Sequence, residues 1–398
     1  PYTTLFRSQK QLFDSHILNR GTVRWLAGPV TYDFTGNTST FTNAGLWEIH
    51  ADSSWNHPYG GQLPSLHNEG TLRKVGGTGT STLLNLNFSN AGQIQVDQGR
   101  LALQSINGLL TGSANVDQGA TLALVQSSLT NAAPVSFTGA GKSVFESGSL
   151  WLAGTMQPAG LQLAGGNLHL LSTFQGGVIT NLTLEGIRLN GTNQVAGSLV
   201  VSNASLVGRY LILPSGRLDL AGNATKQLFD THILNRGTVR WLSGPVLYDF
   251  TGNASTFTNA GLWEIHADTS WSYSYGGPLP SLRNEGTLRK VGGPGTSTLL
   301  NLDFINAGQI QVDQGRLALQ SINGFLAGSA NVAQGATLSF LQSSLTNAGL
   351  ASFTGPGKSV FESGNLWLDG TMQPAGLQLA SGNLHLLPTF QGGVITNL

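Results

Sequence analysis

Glu48-Ile49-His50-Ala51-Asp52 is the stretch whose residue types and spacing could do chemistry. On a strand, alternation puts Glu48, His50 and Asp52 on one face. An acid, an imidazole and an acid side by side could hold a metal ion or move protons. The trio returns as Glu264, His266 and Asp268. The bland alternative is an exposed strand face whose Glu48 is occupied by arginines on neighbouring strands. A second candidate follows at once. Ser53–Gly61 reads as an insert that leaves the strand path, carrying Trp55 and Tyr59, with Trp271, Tyr273 and Tyr275 in its counterpart. Such aromatics could stack on sugar rings or pack down over adjacent chain. His57 is matched by Tyr273 and His67 by Arg283, which argues against a histidine-based metal site there.

What would position these residues is a recurring pattern, apolar-x-Asn-x-Gly-x-apolar-x-apolar, as in Phe41-x-Asn43-x-Gly45-x-Trp47-x-Ile49. It places Asn19, Asn43, Asn68 and Asn90 at spacings of 24, 25 and 22 residues, and Asn235, Asn259, Asn284 and Asn306 repeat the set. Period-two alternation bounded by Gly, Asn and Ser is the strand signal, and no segment keeps a helical period. One such turn of chain buries too few apolar side chains to offset the entropy of ordering it, so turns must stack. The chain therefore reads as all-β, a right-handed parallel β-helix (β-solenoid) of roughly eighteen rungs of about 20–25 residues.

Stacked in register, the motif predicts an inward column of Val23, Trp47, Leu72 and Ile94, with Trp25, Ile49, Lys74 and Val96 two residues on. Lys74 is the misfit, and that rung is expected to leave the strand path early at Val75-Gly76-Gly77. Between them lies an outward ladder of Arg24, Glu48, Arg73 and Gln95, the favourable alternation of exposed charge. The asparagines are expected to form a hydrogen-bonded amide ladder at a left-handed corner.

Residues 10–182 align without gaps to 226–398, with 27 differences in 173 positions. Hence residues 10–225 are a first unit and 226–398 a second, truncated and continuous with it. Residues 1–9, beginning Pro1-Tyr2-Thr3-Thr4-Leu5-Phe6-Arg7-Ser8, read as a sequencing-adapter scar on a metagenomic gene fragment. Charged residues are 10% of the chain, net charge is zero and no basic cluster occurs, so nucleic acid is not an expected partner. Cysteine is absent, which removes disulfides and thiolate chemistry, and no run is long enough for a membrane helix.

The runs Phe88-Ser-Asn-Ala-Gly-Gln-Ile-Gln-Val-Asp-Gln-Gly-Arg-Leu-Ala-Leu and Gly112-Ser-Ala-Asn-Val-Asp-Gln-Gly-Ala-Thr-Leu-Ala-Leu resemble the repeats of large bacterial secreted β-helix proteins. Those proteins are of the autotransporter-passenger and filamentous-haemagglutinin-like kind. The resemblance implies export to the cell surface, a stalk or adhesin role, and glycans or a neighbouring cell surface as partners. It implies no cofactor. Two alternatives stand beside this non-catalytic stalk: a carbohydrate-binding rod using Trp55, Tyr59, Trp271, Tyr273 and Tyr275, and a pectate-lyase-like enzyme. Against the enzyme, the carboxylates Asp14, Asp33, Asp97, Asp117, Glu146 and Glu185 are scattered, and Asp117 is matched by Ala333. No hydrolase or phosphate-loop motif accompanies them.

Overall fold

The structure is a computed structural model describing residues 3–6 (backbone only), 9–32, 39–131, 135–154, 160–248, 255–347, 351–369 and 376–390. Asp33 and the terminal residues 391–398 lie outside the described residues. The chain forms a parallel β-solenoid of about 17 turns, 61% strand and 1% helix. Two compact units divide it, one of residues 1–177 with 185–188, the other of 178–184 with 189–398. This division falls ahead of the 225/226 repeat boundary. Strand Ser205–Ile212 pairs with Lys226–Asn235 directly across that boundary, so the second unit includes the end of the first copy.

In the first unit each complete turn supplies three strands. Thr22–Trp25, Leu46–Ile49, Thr71–Lys74, Gln93–Val96 and Ser113–Val116 stack in parallel as one sheet. Val30–Tyr32, Ser54–Asn56, Thr80–Leu84, Arg100–Gln104 and Thr121–Val125 make a second. His16–Asn19, Thr40–Asn43, Ser65–Asn68 and Asn87–Asn90 belong to a third. The registers put Val23, Trp47, Leu72 and Ile94 in one column, all buried. Three inner faces thus close on one interior, where each large side chain contributes about 1.5–3 kcal/mol by leaving water. The second unit repeats the pattern, with Trp263 on Val239 and Leu288 on Trp263.

One expectation about the corners needs correction. The ladder asparagines have no left-handed backbone; each ends its strand. Positive φ recurs instead in a different column, Asn85 (57°), Ser105 (50°) and Gln126 (49°), repeated at Asn301, Ser321 and Gln342, and is found also at Asp14, Gln175, Asn203, Asp230 and many glycines. Gly45, the motif glycine, has no positive φ and is required for a different reason. A Cβ there would sit 2.3 Å from the Gly21 carbonyl oxygen, and one at Gly70 would sit 2.1 Å from that of Gly45. Successive turns approach too closely at this column for any side chain.

Candidate functional site

The ladder itself is built of short amide contacts. Asn19 Nδ2 donates to Asn43 Oδ1 at 2.7 Å, Asn43 to Asn68 at 2.8 Å, and Asn68 to Asn90 at 2.6 Å. Asn235, Asn259, Asn284 and Asn306 repeat it at 2.7, 2.8 and 2.7 Å. The second amide hydrogen of Asn19, Asn43 and Asn68 goes to a backbone carbonyl of the next turn: Leu46, Thr71 and Gln93. All eight asparagines are buried. Leu46, Thr71 and Gln93 are each the first residue of a strand of the first sheet, so the amide column ties the corner to that sheet.

Glu48, His50 and Asp52 do not converge. Glu48 is on the strand, and Arg24 Nε donates to its carboxylate at 2.7 Å, holding that carboxyl below its ordinary pKa. His50 Nε2 is 3.6 Å from the same carboxylate. Asp52 lies beyond the strand end and faces elsewhere: Lys74 Nζ donates to it at 2.9 Å and the Gly79 amide at 2.9 Å. Those bonds, the Lys74 one foremost, draw its pKa down. Glu264, His266 and Asp268 are arranged alike, with Lys290 on Asp268 at 2.8 Å and His266 3.6 Å from Glu264. Among the described residues no three His, Asp or Glu side chains form a group that could hold a metal ion. The outward charge ladder also differs from expectation. Arg73, in register with Glu48, pairs with Asp97 at 2.9 Å, and its counterpart Arg289 pairs with Asp313 at 2.8 Å. Arg240 turns to Asp219 instead, with two bonds of 2.6 and 2.7 Å.

Lys74 stays in register with Ile49 and Val96 and is the last residue of its strand, so the chain leaves the strand path at Val75 as expected, at the same place as the neighbouring turns and no earlier. Its side chain is fully buried, and the ammonium has three acceptors: Asp52 at 2.9 Å, the Gly76 carbonyl at 2.7 Å and Ser81 Oγ at 2.9 Å. Lys290 repeats this with Asp268, Gly292 and Ser297. A buried cation so satisfied ties three segments of the turn together. Its partner could have been found in the sequence: Asp52 lies 22 residues before Lys74, the length of one turn.

Trp55 is not on a loop. It is the middle residue of strand Ser54–Asn56, in register with Leu83, and 1% exposed. Its ring lies 4.7 Å from that of Trp47, 5.5 Å from Phe41, 5.8 Å from Trp25 and 5.8 Å from Tyr32. Trp271 has the same surroundings, 4.9 Å from Trp263 and 5.7 Å from Trp241. Neither tryptophan can meet a sugar, because the centre of an aromatic core has no face left for one. Tyr273 is buried as well, its hydroxyl donating to the Gly276 carbonyl at 2.9 Å. Of the five proposed sugar-binding aromatics only Tyr59 and Tyr275 are exposed, at 44% and 42%. The departure from the strand path begins at His57 rather than Ser53 and ends where strand Ser65–Asn68 starts.

Two further carboxylates also join turns. Arg100 makes a two-pronged pair with Glu146 at 2.7 and 2.9 Å, 46 residues away, repeated as Arg316 and Glu362. No known protein family, curated protein or solved structure matches this chain.

Proposed function

We propose that this chain is a non-catalytic structural stalk from an adhesin-like, extracellular protein. One observation carries the reading: charged pairs tie different turns together. Lys74 with Asp52 and Arg73 with Asp97 join adjacent turns, Arg100 with Glu146 spans two, and all three pairs recur in the second copy. A carboxylate engaged by a cation in this way is a poor candidate for a general acid or base, which needs a pKa near its working pH. Export and a bacterial origin rest on the resemblance of the repeats alone. The test is to display the chain on a bacterial surface between an anchor and a terminal epitope. Epitope access to antibody should rise above that of the anchor alone. Unchanged access, or release of reducing ends or unsaturated sugars from a panel of polysaccharides, would replace this reading.

A further inference from the structure

A groove of about 360 Å³ opens on the outer face of the second unit, where the first copy passes into the second. Its cause is local. Ser205–Ile212 pairs with Lys226–Asn235, but the register slips between Val207 and Gly208: Val207 faces Phe229 while Gly208 faces Thr231. Such a bulge bends the strand and re-aims the side chains beside it. Gly208 has φ +102°, and a Cβ there would come 2.3 Å from the Gly191 carbonyl oxygen, so the backbone draws in close beneath the groove. Tyr210 points inward below it and anchors the strand, its hydroxyl donating to the Leu189 carbonyl at 2.7 Å.

Two kinds of chemistry line the opening. Arg209, His232 and Thr256 stand in register on successive strands, with His232 Nδ1 3.0 Å from Thr256 Oγ1. Leu211, Leu234 and Thr258 form the parallel column two residues on. Thr192 and Gln194 continue the polar lining. Arg209 is the only Lys, Arg, Asp or Glu among the lining residues. It is exposed and, among the described residues, has no carboxylate partner, unlike Arg217, Arg240, Arg289 and Arg316 of the same unit.

We propose that this groove binds an acidic oligosaccharide, a short run of sugar rings bearing carboxylates. Leu211 and Leu234 offer an apolar strip for the C–H face of a ring. The Thr192, Thr256 and Thr258 hydroxyls and the Gln194 amide can exchange hydrogen bonds with sugar hydroxyls. Arg209 presents a planar fork that matches a carboxylate with two parallel bonds. Four strands at about 4.8 Å spacing give a track of about 14 Å, room for several rings. The assignment does not rest on the stalk reading, since a stalk without this groove would still be a stalk.

Calorimetric titration of the whole chain tests it with four probes of equal length: a uronic acid hexamer, a neutral glucose hexamer, a sulfated hexamer and hexaglutamate. The uronic acid hexamer should bind at least tenfold more tightly than each of the others. Arg209→Ala should weaken it at least tenfold, Arg209→Lys should retain part of the affinity, and Leu234→Glu should abolish binding. Arg236→Ala, exposed but outside the lining, should leave it unchanged, and melting temperatures of the Arg209 variants should match the parent. No binding of the uronic acid hexamer, equal binding of the neutral hexamer or of hexaglutamate, preference for the sulfated hexamer, or full binding by Arg209→Ala would each overturn the assignment.

Discussion

Replacing Asn43 by leucine removes one link from the amide ladder while keeping side-chain volume close to constant. Asn43 is fully buried, accepts from Asn19 at 2.7 Å, and donates to Asn68 Oδ1 at 2.8 Å and to the Thr71 carbonyl at 3.0 Å. The leucine strands one amide hydrogen of Asn19 and one acceptor on Asn68, each costing about 1–3 kcal/mol when buried and unsatisfied. Asn68 keeps its bonds to Asn90 and Gln93, so the loss does not spread down the column. The leucine recovers about 1.5–3 kcal/mol by its own burial, leaving a net destabilisation of about 1–3 kcal/mol. Solenoids open locally, so the assay is hydrogen exchange at the amides of Ala44, Glu69 and Gly70, read beside a global melt. Protection there should fall by about one to two powers of ten, and Asn259→Leu should act equally in the second copy, whose distances agree within 0.1 Å. Unchanged exchange at those three amides would refute the ladder as a source of stability.

Three other outcomes are expected. Asp52→Ala leaves the Lys74 ammonium buried without its counter-charge and should cost about 3–5 kcal/mol in denaturant unfolding, whereas Asp52→Ala combined with Lys74→Met should recover most of that loss. Trp55→Ala should cost about 3–5 kcal/mol in a thermal or denaturant melt, while Tyr59→Ala, on the exposed loop, should stay within about 0.5 kcal/mol. Burial lowers the Lys226 ammonium to about 8, against about 10.4 in an unfolded chain. Between those values the unfolded chain binds more protons, so stability should rise as pH climbs from about 8 toward about 10.4. Melting curves of Lys226→Met across that interval should lack this rise.

Why the inner columns were legible and the second sheet was not follows from where the repeated signal lies. Asn43, Gly45, Trp47 and Ile49 sit in a motif of constant internal spacing, so aligning turns on the glycine aligns the first and third sheets together. The distance onward to the second sheet varies: Trp55 lies 10 residues after Gly45, while its register partner Leu83 lies 13 after Gly70. Aligned on glycine, Trp55 falls out of its column and resembles a loop residue. Matching it to the Leu83, Leu103 and Leu124 series would have placed it inside. Lys74 misled for the opposite reason. Its position in the column was clear, but only structure shows that Ser81 and the Gly76 carbonyl complete its surroundings. The left-handed corner at Asn85, Ser105 and Gln126 has no shared residue type to mark it. The groove at Arg209 depends on a one-residue slip between strands, and strand pattern alone does not reveal the register of pairing.

The strand pairing across the 225/226 boundary has a genetic consequence. Arg217 and Leu218, from the end of the first copy, pair with Thr238 and Val239 of the second through the same parallel register that joins Thr22 and Val23 to Leu46 and Trp47 within the first. A duplication that begins and ends at equivalent points of the coil therefore brings no foreign junction into the protein. Unequal crossing-over between near-identical copies can add or remove a whole 216-residue period and still yield a chain whose every strand finds a partner of the right kind. Length becomes a heritable variable that recombination can adjust in one step, without the compensating point mutations that a globular domain would need.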